Sequence, residues 1–480
     1  MDGQATYSRR RFLQGAVAVS AGAISARGLY EALDQLGLVA PERAEAAVVR
    51  RREEQYLIEG LEVIQDDGVP VVVPPIYNDM ITATLAPGRT WNATTLKSAK
   101  SRLENALKTV ESPYPATAAG LTIVVGWGLP YFRTRVPALW KSRGPVDTAL
   151  TTDPANPKFA VLDAIRFPSD PETMELEAND VVFKLRSDSQ DILRNVERAL
   201  FDDPTNKAYV GDLFSITSKR IGFLGRGFGG KNVGRELAIQ AGVPGADQIP
   251  VRSQLMMGFT STQPAALGPD NIVSFETLPG VTNQWPSGYF AAGCAMHVSH
   301  LNLDLASWYG LDYSSRVARM FDSHRPVPPD GRVTLSNGPS DVTSGTQLDA
   351  DRKTGVIGHN ETLQQATRLQ ADVLDNYRRT RTKGTAVPIR EDFNTIDDPF
   401  AWPSNGGAKA GLHFAVFVPA SRLFHTARLA MDGVLPDGTN LRSEISDANN
   451  GINSRMAATH RQNFLVPPRS KRSFPLAELL

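Results

Sequence analysis

Histidines, arginines and carboxylates must carry whatever chemistry this chain performs. It has one cysteine, Cys294, so it can form no intrachain disulfide and no cysteine-built zinc or iron–sulfur centre. Cys294 lies in the small-residue apolar run 290–296, which predicts a buried, inert thiol. His297 and His413 fall inside apolar runs and read as core or cross-strand residues. His324, in Asp322-Ser323-His324-Arg325, and His359, in Gly358-His359-Asn360-Glu361, fall outside them. Arg390 is followed directly by two carboxylates, Glu391 and Asp392. There is no Gly-x-Ser-x-Gly elbow and no metal-spaced His/Glu cluster, which argues against a hydrolase. The glycine-rich stretch 222–231 carries Arg226 and Lys231. It lacks the Gly-Lys-Ser/Thr ending of a phosphate loop and the spacing of a dinucleotide fingerprint, so a flexible loop is expected.

Lys plus Arg number 51 and Asp plus Glu number 51, so the chain lacks the basic footprint of a nucleic-acid binder. No window is apolar enough to span a membrane. The N-terminus reads as a twin-arginine export signal. Ser8-Arg9-Arg10-Arg11-Phe12-Leu13-Gln14 precedes a mild apolar run over 15–26 that is too short to anchor in a bilayer. Ala44-Glu45-Ala46 offers a cleavage site, giving a leader over 1–46. The expected partner is the twin-arginine translocation machinery, and the expected location is periplasmic, cell-surface or extracellular. That route carries proteins already folded, and so suits a chain that takes up a cofactor before export.

About 430 residues remain past the leader, enough for two or three domains. Leu96, Ala99, Leu103, Ala106, Leu107 and Val110 have helical spacing and predict a helix over 96–110. Apolar and β-branched runs predict strands over 121–126, 180–185 and 411–417. The second and third of these strands each precede a helix. The apolar positions Ile192, Leu193, Val196, Ala199 and Leu200 repeat the spacing of Leu423, Phe424, Ala427, Ala430 and Met431. Phe183 and Phe414 hold equivalent places in the two strands. This is the pattern of an internal duplication, with helices packed on antiparallel sheets in each half. The expected domains run over 53–265 and 272–480, joined by a Pro/Gly-rich linker over 263–271. An irregular stretch over 325–355, a helix over 363–377 and a solvated basic stretch over 378–383 complete the reading.

The same segments resemble a known family. Leu121-Thr122-Ile123-Val124-Val125-Gly126-Trp127-Gly128-Leu129-Pro130-Tyr131-Phe132 is similar to a strand and turn of the dye-decolorising peroxidases. Segments 180–200, 254–259, 288–308, 411–417 and 463–468 resemble further family motifs, in family order. The resemblance implies an α+β fold of two ferredoxin-like domains, of the dimeric α+β barrel type. It also implies a haem b held mainly by the C-terminal half and peroxide-dependent oxidation of a small organic substrate. Exposed sheet edges in this architecture make a homo-oligomer an open expectation.

Such a peroxidase needs a neutral imidazole on the iron, a cation to polarise peroxide, and a group that moves a proton between its oxygens. By resemblance the iron ligand is His359, with His324 as the rival, and the cation is Arg390. The family's Gly-x-x-Asp-Gly motif is degraded. It reads Gly258-Phe259-Thr260-Ser261-Thr262, with Ser261 at the place of the catalytic aspartate. A serine hydroxyl cannot take a proton at neutral pH as a carboxylate can. The loss of general acid–base catalysis is worth about 10²–10⁴ in rate. The sequence therefore keeps two alternatives open: a working peroxidase, or a non-catalytic haem- or ligand-binding descendant. Glu391 and Asp392 are carboxylates close to Arg390, and the sequence does not choose between them.

Overall fold

The computed structural model describes residues 51–66, 68–225, 232–260, 264–323, 345–396 and 409–480. The leader over 1–46, Ser261, His324 and most of the glycine-rich stretch lie outside the described residues. Four strands form the first half: β1 (Tyr77–Leu85), β2 (Thr122–Gly128), β3 (Val181–Ser187) and β4 (Phe214–Phe223). They pair antiparallel in the order β4-β1-β3-β2. Helix α1 (Ala93–Glu111) follows β1, and α2 (Gln190–Glu197) follows β3.

The second half repeats this plan. Its strands are β5 (Cys294–Leu303), β6 (Ile389–Arg390) running on into β7 (Phe393–Thr395), β8 (Gly411–Val418) and β9 (Met456–Val466). Their order is β9-β5-β8-β7, so in both halves the fourth strand pairs with the first, the first with the third and the third with the second. Helix α3 (His359–Thr367) follows β5, separated from it by further segments, and α4 (Ser421–Met431) follows β8. The two halves join at both edges. Asn394 of β7 pairs with Phe223 of β4, and Trp127 and Gly128 of β2 pair with Leu465 and Phe464 of β9. The eight-strand circuit closes into a barrel, which leaves few free edges.

Local chemistry explains the elements. Asn92 and Thr95 form a reciprocal cap on α1, each side chain accepting from the other's backbone N–H at 3.0 and 2.9 Å. The stripe from Leu96 to Val110 is buried, as its spacing predicts. In β3 all seven residues are buried, but the two faces differ. Val181, Phe183 and Leu185 join the core under the helices, whereas Lys184 and Arg186 point into the barrel.

Those two cations meet a carboxylate from the other half. Lys184 Nζ lies 2.9 Å from Glu391 and 2.8 Å from Asn78 Oδ1. Arg186 is bound to the second Glu391 oxygen and to Thr122 Oγ1. Burial pulls the Lys184 ammonium down to about 8, against the raising effect of Glu391. Burial also works against the Glu391 carboxylate, but Arg186 and Lys184 outweigh it and hold the group below its ordinary value. The triad thus ties the halves through charge inside the barrel.

Gly222 marks the tightest point of the seam between halves. A Cβ there would stand 2.1 Å from the Asn394 carbonyl oxygen. Gly222→Ala is expected to force β7 away from β4 and to cost about 1–3 kcal/mol, as overpacking does, measured as a lower urea midpoint.

Three sequence expectations are corrected. The helix expected over 363–377 is α3, which begins at His359 and ends at Thr367. Beyond it Arg368 is extended, and Asp375 Oδ1 accepts from the backbone N–H groups of Tyr377 and Arg379. Such side-chain turns compete with helix. The basic stretch is not wholly solvated, because Arg381 is buried and paired with Asp375 at 3.0 Å. The irregular stretch contains a helix over Gly345–Thr354. Cys294 is buried, and burial pushes its thiol well above the ordinary value. No helix among the described residues is long and apolar enough to cross a membrane.

Candidate functional site

A cavity lies on the outer face of the second half, lined by α3, α4 and the strands β5, β7 and β8. The space between its walls, open mouth included, is about 1210 Å³. Leu301, Leu303, Leu412, Phe414, Phe424 and Met431 supply apolar lining, as expected of a site for an organic ligand. Met256, Met257 and Phe259, from the degraded motif and the turn before it, add to the wall.

His359 faces this cavity as the first residue of α3. Its backbone is placed by Gly358, where a Cβ would stand 2.0 Å from the Phe321 carbonyl oxygen. No other residue allows that approach. Burial, then the charges of Arg390 and Arg428, pull the imidazole down to about 3. The N-terminus of the helix also disfavours a cation. His359 is therefore neutral at physiological pH and keeps a ring-nitrogen lone pair.

Arg390 enters through strand register. Ile389 stands opposite Phe417, Arg390 opposite Val416, Phe393 opposite His413 and Thr395 opposite Gly411, with no slip between β6 and β7. Alternate residues point to opposite faces. Arg390, Asp392 and Asn394 therefore share the cavity face with Leu412 and Phe414, while Glu391 and Phe393 turn into the barrel. The register thus separates the two carboxylates that the sequence left undivided.

Asp392 is 6% exposed, and its Oδ1 has no hydrogen-bond partner among the described residues. Burial pushes its carboxyl up to about 6, against the lowering effect of Arg390. Asn394 is fully engaged in support. Its Oδ1 accepts from Met256 N at 2.9 Å, and its Nδ2 donates to the carbonyls of Phe223 and Gln254. It therefore fixes the 254–257 segment at the cavity edge. Arg428 and Arg461 also line the cavity, but each is neutralised, Arg428 by Asp432 at 2.7 Å and Arg461 by Asp170 at 2.6 Å. Among the described residues no group of three or more His, Cys, Asp or Glu side chains gathers to hold a metal ion.

The raised Asp392 value has a consequence for stability. Between the unfolded value near 3.8 and about 6, the native state holds a proton that the unfolded chain releases. Stability therefore falls as pH rises through that window, by up to about 3 kcal/mol. Asp392→Asn should raise the urea midpoint of the cofactor-free protein at pH 8 and leave it nearly unchanged at pH 4. An equal shift at both pH values would contradict this.

Of the residues singled out in sequence, the cavity brings together His359, Arg390 and Asp392. Ser261 and His324 lie outside the described residues. His297 and His413 are buried in strands, His297 bonded to Asn463 and Ser299. Sequence reasoning missed Gly358, Asn394, Arg428 and Arg461. Only Asn394 left a signal, since it continues the two-residue alternation that starts at Arg390.

The architecture is that of the DyP-type peroxidases. A DyP-type peroxidase from Cellulomonas bogoriensis superposes with a TM-score of 0.52 at 16% identity, over 88% of this chain and 94% of that one. The encapsulated DyP-type peroxidase from Mycobacterium smegmatis gives 0.45 at 15% identity, over 84% and 95%. A Rhodococcus jostii RHA1 DypB variant in complex with heme gives 0.46 at 14% identity, over 84% and 96%. The chain belongs to DUF7405, a family of unknown function whose model matches residues 85–468. No match is found among curated proteins.

Proposed function

We propose that the cavity binds a haem b through His359 and that the protein oxidises a small organic substrate at the expense of peroxide. The reading rests on one observation: a neutral imidazole and a guanidinium face the same largely apolar cavity. Those residues fit the group. The apolar walls suit a flat macrocycle, and an uncharged ring nitrogen is the donor that haem iron takes. When bound, haem supplies the iron at which the peroxide O–O bond is cleaved.

The chain's own residues do the rest. His359 holds and orients the iron. Arg390 offers N–H donors to negative charge that develops on peroxide, in a site where apolar walls exclude water. The leader fits export through the twin-arginine machinery of a protein already folded around its cofactor. A second reading, haem or ligand binding without turnover, is favoured by Ser261 at the place of the family's aspartate.

The experiment is dye oxidation by haem-loaded protein with and without hydrogen peroxide. Peroxide-dependent turnover that falls about 10²–10³-fold in Arg390→Leu supports the first reading. Bound haem with no turnover supports the second.

A further inference from the structure

We propose that Asp392 is the proton-transfer group of this cavity, standing on the arginine's own strand and taking over from the carboxylate that Ser261 replaces. The inference rests on the haem reading above. Three features of the structure carry it.

The first is register. The unbroken pairing of 389–395 with 411–417 turns Arg390 and Asp392 to the same face, two residues apart. Residues so spaced lie about 7 Å apart along a strand, close enough to engage one small molecule between them. Glu391, the other carboxylate, is excluded by the same alternation and is already committed to Lys184 and Arg186.

The second is desolvation. Asp392 is buried, yet it lines the cavity and one of its oxygens has no partner among the described residues. Leaving a buried acceptor unmet is costly, and among the described residues Asp392 is the only carboxylate that lines this cavity. A cavity-lining carboxylate with one oxygen unmet is what a group awaiting a ligand proton presents.

The third is proton affinity. With burial raising it and Arg390 opposing, the group titrates at about 6, near the pH at which a general base both takes and returns a proton efficiently. The other charges that act on it are Lys184 and Glu391. His359, Arg428 and Arg461 complete the ionisable lining. His359 is neutral and the two arginines are paired, so Asp392 is the carboxylate on this cavity face without a countercharge of its own beyond Arg390.

In the step, the Asp392 carboxylate accepts the proton from one peroxide oxygen and delivers it to the other, which leaves as water when the O–O bond breaks. Over a turnover, one hydrogen peroxide with two electrons and two protons from the reducing organic substrate gives two waters. Asp392 ends as it began.

The test uses the haem-loaded full chain, wild type and Asp392→Asn. Asparagine keeps the shape and removes the base. The rate of reaction with hydrogen peroxide, followed by stopped flow at the Soret band, should fall by about 10²-fold or more, with the resting spectrum and haem content unchanged. A readout independent of turnover is cyanide association, since hydrogen cyanide must give up its proton to bind. Its rate should show an inflection near pH 6 in the wild type and none in Asp392→Asn. Asp392→Glu should retain part of both effects. If Asp392→Asn reacts with peroxide within threefold of wild type and keeps the inflection, this proposal fails alone. If the wild type binds no haem, it fails together with the reading it rests on.

Discussion

Replacing His359 with alanine should abolish the Soret band of the haem-loaded protein while leaving the far-UV circular dichroism unchanged. His359 supplies the only imidazole that lines the cavity among the described residues. Its neutral state, enforced by burial and by the charges of Arg390 and Arg428, means the lone pair is available without a proton having to leave. The neighbouring residues are not expected to collapse, because the ring borders open space and the α3 backbone is placed by Gly358. Added imidazole should restore part of the band by filling the vacated volume. A band that survives His359→Ala and disappears in His324→Ala would move the ligand to the rival histidine.

The second large effect concerns the fold. Glu391→Gln should destabilise the protein by about 3–5 kcal/mol, because it leaves two buried cations without their countercharge. Lys184 and Arg186 are 0% and 1% exposed and come from the first half, whereas Glu391 comes from the second. The expected signature is a lower urea midpoint, together with a rise in stability with pH that sets in at lower pH than in the wild type, because the Glu391 charge that raises the Lys184 ammonium is gone. Replacing all three by apolar residues of similar volume should be nearly neutral. A loss under about 1 kcal/mol in Glu391→Gln would mean that the barrel interior is wet and the triad screened.

Much of this architecture is legible in the sequence because its signals are periodic. The repeated apolar spacing after Phe183 and Phe414 reports two copies of one strand–helix unit, and the paired strand orders bear the duplication out. The apolar stripe of α1 reports its buried face residue by residue. What sequence could not supply was the face of the strand that carries Arg390. Val387–Phe393 mixes proline, charge and apolar residues, so nothing in it shows which side is buried. Only the pairing with 411–417 sends Asp392 to the cavity and Glu391 into the barrel. The end of α3 was misjudged for a related reason. Leucine and valine spacing continues past Thr367, but Asp375 and a backbone pairing of Leu369 with Thr385 capture the chain into turns. The interior charges were invisible as well. Lys184 and Arg186 look like the solvated positions of an amphipathic strand, and they become buried only because the strands of both halves close into one barrel around them.

The measurement that tests the central claim most directly is titration of haem into the purified, cofactor-free protein, followed by absorbance. A single saturable site, one haem per chain, with a Soret band that disappears in His359→Ala and in a variant that fills the cavity such as Leu412→Trp, is the predicted result. Haem uptake that never saturates, or that is indifferent to both substitutions, would contradict it.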